Sequence, residues 1–329
     1  MKPVIRRLVT LLTSLPGRVL ISAGLLALVA ASIDWHTLGE TISGAKWGWF
    51  VAAVAFVVAA LGVGGWRWHY LLATARIPAG LRLSVRAYIV GAFSNSVLPT
   101  AVGGDFVRGW LVARSGRPLA RALTSVVVDR VSALVCLLVL AWIGLGLDPG
   151  AIPGSLTTLL AAVTAAMALA GAAMIALLRR QGLGRLLPEW LRPWVAEVAS
   201  VLRDYGRNRE LLVRVFVLGI LFQVLTIGSG WAISKALGLD LEPSVLAVVI
   251  PLALIATLVP ISLAGFGIRE GAFIALLGEV GVSSADATLF SLLSFAAITI
   301  ASAPGAIALV LRNQPLRAPP EALEPKAGS

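Results

Sequence analysis

The sequence predicts an all-α polytopic membrane protein, built as an inverted repeat that contains two broken helical hairpins. The chain has 329 residues, of which 58% are hydrophobic and only 13% are charged, whereas about a quarter of a typical soluble domain is charged. Apolar runs of about 20 residues, which can cross a bilayer core of about 30 Å, recur along it. The pattern P-x-x-x-x-G-x-x-x-R occurs twice in apolar surroundings, at residues 99–108 and 260–269.

The apolar runs predict six full membrane spans. Their approximate ranges are 15–33, 47–66, 122–146, 156–178, 212–235 and 285–311. Two interrupted segments, at about 83–116 and 243–281, contain the repeated pattern and bring the prediction to about eight membrane segments. We expect residues 1–312 to form one integral membrane domain, and the charged, proline-rich residues 313–329 to be a disordered cytoplasmic tail.

The distribution of basic residues predicts the topology. With a cytoplasmic N-terminus, 22 of the 27 Lys and Arg fall in cytoplasmic segments, four of them within residues 67–86, while Lys46 and Lys235 face outward. This is the positive-inside pattern of a multi-pass protein. The net charge of +11 therefore reports topology, and no nucleic-acid partner is expected. We expect both termini in the cytoplasm.

The same charges predict that the interrupted segments are re-entrant hairpins. A single crossing at 83–116 would place the arginines of residues 114–121 outside, so this hairpin is predicted to enter from the cytoplasm. The hairpin at 243–281 then enters from the opposite face. Residues 47–146 and 212–311 become halves of opposite orientation, an arrangement that lets a site open alternately to each side. Between the halves, residues 179–211 are predicted to form an amphipathic segment at the cytoplasmic interface.

Six charged residues remain inside the hydrophobic segments after this assignment. They are Asp105, Arg108, Asp129, Arg130, Arg269 and Glu270. Intramembrane charges are costly, and they are usually paired or functional. We expect Asp129 to pair with Arg108 and Arg130 to pair with Asp105. Direct contact of Arg130 with a ligand is the alternative. Asp129 and Glu270 are candidates either for proton coupling or for structural ion pairs.

Each Pro/Gly break precedes a new helix whose N-terminus could bind an anion. Helix N-termini present unpaired amides, and Gly104 and Gly265 would let the backbone approach a ligand closely. One turn further on, Arg108 and Arg269 add planar donors suited to phosphate. Two such half-sites meeting near the midplane would form a phosphate-sized pocket. The alternative is that both arginines are held in structural bridges.

The sequence also predicts roles for one polar residue and four tryptophans. Asn95, on the first arm of the first hairpin, could bind ligand or cap the hairpin. Trp47, Trp49, Trp66 and Trp68 lie at span ends and are predicted to be interface anchors.

The sequence carries few signs of catalysis. It has two histidines, His36 and His69, far apart in sequence, and a single cysteine, Cys136, within a span. No zinc, serine-hydrolase or P-loop motif is present. We expect no cofactor, no metal and no enzymatic activity. An intramembrane enzyme would depend on Asp105 and Asp129, which are the one pair of acids close enough in sequence.

Two stretches resemble a known family. PTAVGGDFVRGWLVARSGRPLARALTSVVVDRV (99–131) and VPISLAGFGIREGAF (259–273) resemble the signature regions of the flippase-like membrane domain found in lysylphosphatidylglycerol synthases and their stand-alone relatives. The resemblance covers about residues 15–312. It implies a multi-pass protein of the bacterial or archaeal inner membrane that moves a phospholipid or lipid-linked headgroup between leaflets. The resemblance implies that the residues important for function are Gly104, Asp105, Arg108, Asp129, Arg130, Gly265, Arg269 and Glu270.

The resemblance does not extend to aminoacyl transfer. Synthases of this type add a soluble C-terminal catalytic domain, and this sequence ends at Ser329. The first expectation is therefore a translocator of an anionic phospholipid or lipid-linked headgroup. The second is an accessory protein that presents lipid to a glycosyltransferase or another lipid-modifying enzyme, and the third is an intramembrane headgroup enzyme. The lipid, the direction, the energy source and homo-oligomerisation stay open.

Overall fold

The computed structural model describes residues 43–98, 103–113, 119–179, 192–258 and 267–310. Regular structure in these ranges is entirely helical. In chain order the helices are α1 (Trp47–Thr74), α2 (Leu81–Val97), α3 (Gly103–Ala113), α4 (Leu119–Leu147), α5 (Gly154–Arg179), α6 (Arg192–Arg207), α7 (Arg209–Ala236), α8 (Pro243–Ala256), α9 (Ile268–Gly278), α10 (Ser284–Ser302) and α11 (Pro304–Val310).

Five of the described helical segments are long and apolar enough to cross a membrane. They are α1, α4, the Gly154–Ala173 part of α5, α7, and the Ser284–Ala308 stretch formed by α10 and α11. These match five of the six predicted spans and confirm an all-helical membrane protein. The predicted span at 15–33 and the predicted tail at 313–329 lie outside the described residues. The total number of crossings remains a prediction.

Helix α1 extends further than the apolar run predicted. The predicted span ended at residue 66, whereas the helix continues to Thr74, with Arg67, Trp68 and Leu71 buried in its last turns. A helix of this length spans about 42 Å, which exceeds a hydrocarbon core of about 30 Å. The prediction ended the span before its first charged residue, Arg67. In the structure α1 continues beyond this residue because its last turns pack against other helices.

The first helices of the two halves run in opposite directions. At one end of the α1–α7 contact, the backbone N–H of Lys46 donates to the carbonyl oxygen of Ala236 (2.8 Å). Seven residues further along each helix, Ser229 Oγ donates to the carbonyl oxygen of Ala53 (3.1 Å). At the other end, the Arg214 guanidinium lies 5.1 Å from the centre of the Tyr70 ring. This antiparallel contact is what an inverted repeat requires.

Each half contains two short helices between two long segments. In the first half α3 packs on α2, and in the second half α9 packs on α8. The chain enters α2 beside the end of α1, where His69 Nδ1 lies 2.9 Å from the carbonyl oxygen of Ala79. It enters α8 beside the end of α4, where Gly144 contacts Ser244. The two broken pairs therefore start at opposite ends of the bundle. That each pair re-enters the membrane remains a prediction.

Helix α6 forms the described part of the predicted interfacial segment, and it has one packed face and one exposed face. Val201 and Tyr205 are buried, whereas Arg203 and Arg207 are exposed. The Tyr205 hydroxyl donates to the carbonyl oxygen of Leu71 at the end of α1 (2.9 Å). This contact fixes α6 across the end of the bundle at which α1 finishes.

Candidate functional site

Five charged side chains from α1, α3 and α4 form one connected group, which we call the arginine–aspartate cluster. Its members are Arg67, Asp105, Arg108, Asp129 and Arg130. Arg67 donates to Asp129 Oδ1 from Nε (2.9 Å) and Nη2 (2.7 Å). Arg108 donates from Nη1 to Asp129 Oδ2 (2.9 Å) and from Nε to Asp105 Oδ1 (3.0 Å). Arg130 Nε donates to Asp105 Oδ2 (2.7 Å).

Both ion pairs predicted from the sequence are present in this cluster. Asp129 pairs with Arg108, and Arg130 pairs with Asp105, because charges held at membrane depth need partners of opposite charge nearby. Arg67 was missed, because the predicted topology counted it among the cytoplasmic basic residues. Its side chain is instead fully buried. The sequence feature that could have indicated this burial is the apolar Leu71, four residues later and on the same helical face as Arg67.

Aromatic rings surround the buried guanidinium groups. Arg108 lies 5.0 Å from the ring centre of Trp68 and 4.7 Å from that of Tyr88, and Arg67 lies 5.4 Å from that of Phe222. Such contacts stabilise a cation through the negative face of the ring. The prediction that Trp68 is an interface anchor is wrong. Its ring is fully buried and its Nε1 donates to Ser125 Oγ (3.1 Å).

The cluster carries one more positive charge than negative charge, because three arginines face two aspartates. Four of its members are buried, but 48% of the Arg130 side chain is exposed. On α4, Arg130 shares an exposed face with Val127 and Val131, which are 60% and 53% exposed. The surplus positive charge is therefore accessible at the guanidinium group of Arg130, on an apolar outer surface.

The helices also give the depth of the cluster. Arg121, near the start of α4, donates to the carbonyl oxygen of Ala75, next to the end of α1, which marks one end of the bundle. Asp129 lies eight residues after Arg121 and Arg67 lies eight residues before Ala75, which is about 12 Å along either helix. In a bilayer about 40–45 Å thick including headgroups, that depth lies within the hydrocarbon core, about 8–10 Å short of the midplane.

The first break is closed by contacts between α2 and α3. The Gly104 N–H donates to Asn95 Oδ1 (2.8 Å), so Asn95 caps the start of α3. A Cβ atom on Gly104 would lie 2.0 Å from the carbonyl oxygen of Gly91. The space beside Gly104 is therefore occupied by α2, and this glycine serves the close approach of two helices. Pro99 lies outside the described residues.

The second break has a smaller and balanced charge group. Pro260 and Gly265 lie outside the described residues. Gly267, with φ of +83°, precedes α9, and its N–H donates to Glu270 Oε2 (2.6 Å). Arg269 Nε donates to Glu270 Oε1 (3.1 Å) and to Ser291 Oγ (3.2 Å). Among the residues that the structure describes here, one arginine faces one glutamate, so the charges of these two side chains balance.

The described contacts of Arg108 and Arg269 share no residue. Helix α3, which carries Arg108, packs on α2 and α4, whereas α9, which carries Arg269, packs on α8 and α10. The two arginines are linked through the contact between α2 and α10. A common pocket that both line near the midplane remains a prediction.

The residues weighed for catalysis have structural partners. Asp105 and Asp129 each accept hydrogen bonds from two arginines. The Cys136 thiol is buried and lies 3.7 Å from the carbonyl oxygen of Phe216. Within the described ranges, no group of three His, Cys, Asp or Glu side chains is arranged to hold a metal ion. His36 lies outside those ranges.

Comparison with known proteins places the chain in a family. A search of curated proteins finds no match. The sequence model described as the lysylphosphatidylglycerol synthase TM region matches residues 17–305. That range includes both broken helical pairs, the arginine–aspartate cluster and the Arg269–Glu270 group. The chain therefore belongs to the lysylphosphatidylglycerol synthase TM region family.

Proposed function

We propose that this protein moves an anionic phospholipid or lipid-linked headgroup between membrane leaflets, and that the arginine–aspartate cluster first binds the headgroup phosphate. The observation that carries the proposal is the single surplus positive charge of the cluster, which is accessible from outside at the half-exposed Arg130. Membership of a family named for the membrane region of a lipid-modifying synthase supports a role with membrane lipids. Enzymatic chemistry is not part of this proposal.

The surroundings of Arg130 favour a phosphate as its partner. An arginine at hydrocarbon depth costs about 2.5–3.5 kcal/mol on insertion scales, and one aspartate shared with Arg108 neutralises it incompletely. A phosphodiester carries one negative charge, which equals the surplus of the cluster. The guanidinium of Arg130 contacts Asp105 through Nε, and its Nη groups could donate to two phosphate oxygens in the bidentate geometry that arginine favours. The acyl chains would stay against Val127 and Val131.

Translocation then requires the headgroup to pass between the two halves. In the proposal the phosphate displaces Asp105 from Arg130 and moves along the broken helices, which re-enter the membrane from opposite faces. Arg269 offers the second guanidinium. Glu270 neutralises it until a headgroup phosphate replaces Glu270 as the partner of Arg269, or until Glu270 is protonated. At each stage a fixed charge replaces the hydration that the phosphate would lose in hydrocarbon.

Leaflet exchange of a fluorescent phosphatidylglycerol in proteoliposomes tests the proposal. We expect Arg130→Gln to slow exchange at least about tenfold, because a hydrogen bond to a charged group contributes about 1.5–3 kcal/mol. Arg82→Gln is the matched control, since Arg82 is also exposed and lies outside the cluster. Equal rates in the two variants would contradict the proposal. Lipid binding without exchange by the unmodified protein would favour the lipid-presenting role.

A further inference from the structure

A second positively charged feature lies away from the arginine–aspartate cluster. An open cavity of about 610 Å³ is found where the end of α1 meets the junction of α6 and α7. It is lined by Thr74, Arg76, Asp204, Arg207, Asn208 and Arg209. Among these described lining residues three arginines face one aspartate, which gives them a surplus of two positive charges.

The arginines of this cavity form no ion pair with any acid that the structure describes. Arg76, Arg207 and Arg209 are exposed, and none forms an ion pair with Asp204 or with another acid in the described part of the chain. Two arginines outside the cavity, Arg121 and Arg214, do pair with glutamates. An anion could therefore enter the cavity without breaking an existing ion pair.

The cavity is held in shape by contacts beneath it. Burial raises the pKa of Tyr205, so its hydroxyl stays protonated and donates to the carbonyl oxygen of Leu71, which joins α6 to α1. Asn208 Oδ1 accepts from the N–H of Leu211 (2.9 Å) and fixes the start of α7. Arg76 has φ of +59°, a left-handed conformation that residues with a Cβ rarely adopt. The surrounding structure therefore sets the direction in which this arginine leaves α1.

The position of the cavity matches the headgroup layer of the membrane. From Trp47, which is exposed at the start of α1, the distance along the helix to Arg76 is about 44 Å. A bilayer with its headgroups is about 40–45 Å thick. With Trp47 in the aromatic belt of one interface, the cavity lies among the headgroups of the opposite leaflet, on the face predicted to be cytoplasmic.

We propose that this cavity binds a phosphate group, carried either by a phospholipid of that leaflet or by a soluble phosphate ester. Guanidinium groups bind phosphate oxygens in a planar, bidentate geometry, and the Thr74 hydroxyl and the Asn208 amide supply further donors. The site goes beyond the translocation proposed above, because no residue of the arginine–aspartate cluster lines it. It would hold an anionic headgroup beside the bundle whether or not the protein transports lipid.

Native mass spectrometry of the purified full chain, titrated with phosphatidylglycerol or phosphatidylcholine, tests this site. We expect Arg76→Gln with Arg209→Gln to remove one tightly bound phosphatidylglycerol, with affinity falling about fivefold per arginine. Arg203→Gln is the matched control, because Arg203 is an exposed arginine of α6 that does not line the cavity. Asp204→Asn should tighten binding by a similar factor, since it removes the one acid among the described lining residues.

Excess inorganic phosphate distinguishes the two sources of the ligand. If phosphate displaces the lipid that the double variant loses, the site takes soluble phosphate groups. If the lipid stays bound to the unmodified protein in excess phosphate, and the double variant nevertheless lacks it, the site is specific for a membrane headgroup. Equal phosphatidylglycerol binding by the double variant and Arg203→Gln would overturn the proposal. So would unchanged binding in Asp204→Asn, a variant that tests the charge without removing an arginine.

Discussion

Arg67 and Asp129 form a fully buried ion pair that joins α1 to α4. Two nitrogen atoms of the arginine donate to Oδ1 of the aspartate, at 2.9 Å and 2.7 Å, and both side chains are 1% exposed. The other oxygen of Asp129 is bound by Arg108 from α3. One carboxylate therefore connects three helices, and it fixes Arg108, which in turn holds the Asp105 carboxylate that binds Arg130.

Loss of Arg67 should destabilise the fold. In Arg67→Met, Oδ1 of Asp129 keeps its charge without its main donors, and removing one partner of a buried pair costs about 3–5 kcal/mol. The free energy of unfolding, measured by denaturant titration in mixed micelles, is the readout.

The control for this prediction is Arg214→Gln. Arg214 pairs with Glu210 on the exposed face of α7, and exposed pairs contribute about 0–1 kcal/mol. If the two variants lose similar stability, the Arg67–Asp129 pair is not a structural connection.

A methyl group at residue 104 should separate α2 from α3. In Gly104→Ala the new Cβ would lie 2.0 Å from the carbonyl oxygen of Gly91, and overpacking of this kind typically costs about 1–3 kcal/mol. Gly62→Ala is the control, since a Cβ there meets no atom within 4 Å and alanine favours the helix. Thermal unfolding in detergent should show a lower midpoint for Gly104→Ala and no loss for Gly62→Ala. A midpoint unchanged in both would contradict the close helix contact.

Arg269 and Glu270 should be energetically coupled. Glu270→Gln keeps an oxygen acceptor for the Gly267 N–H but removes the negative charge that Glu270 places beside Arg269. Arg269→Gln likewise leaves the buried carboxylate unpaired. The double variant should lose less stability than the two single variants together, with a coupling of about 0.5–3 kcal/mol in a double-mutant cycle. Additive losses would mean that the pair contributes nothing through its charges.

Counting charges predicted part of the cluster, because few partners are available at membrane depth. The pairs Asp129 with Arg108 and Arg130 with Asp105 followed from that count. Arg67 did not, because hydropathy ends a span at its first charged residue. Whether such a residue lies at the interface or inside depends on the contacts of neighbouring helices.

Local sequence could not assign the roles of Gly104 and Asn95. A glycine permits close approach of a ligand or of another helix, and the pattern is the same in both cases. In the structure α2 fills the space beside Gly104, and Asn95 caps α3. The long-range packing of α2 on α3 decides both roles, and a single sequence carries no information on that contact.

The most direct test of a charge-driven headgroup site compares leaflet exchange of phosphatidylglycerol in Arg130→Gln and in the double variant Arg130→Gln with Asp105→Asn. The single variant has two arginines and two aspartates in the cluster, so its surplus charge is lost and exchange should fall. The double variant has two arginines and one aspartate, which restores the surplus and frees Arg108 Nε while Nη1 stays bound to Asp129, so exchange should recover in part. Full activity of the single variant, or no recovery in the double variant, would contradict the proposed role of the surplus charge.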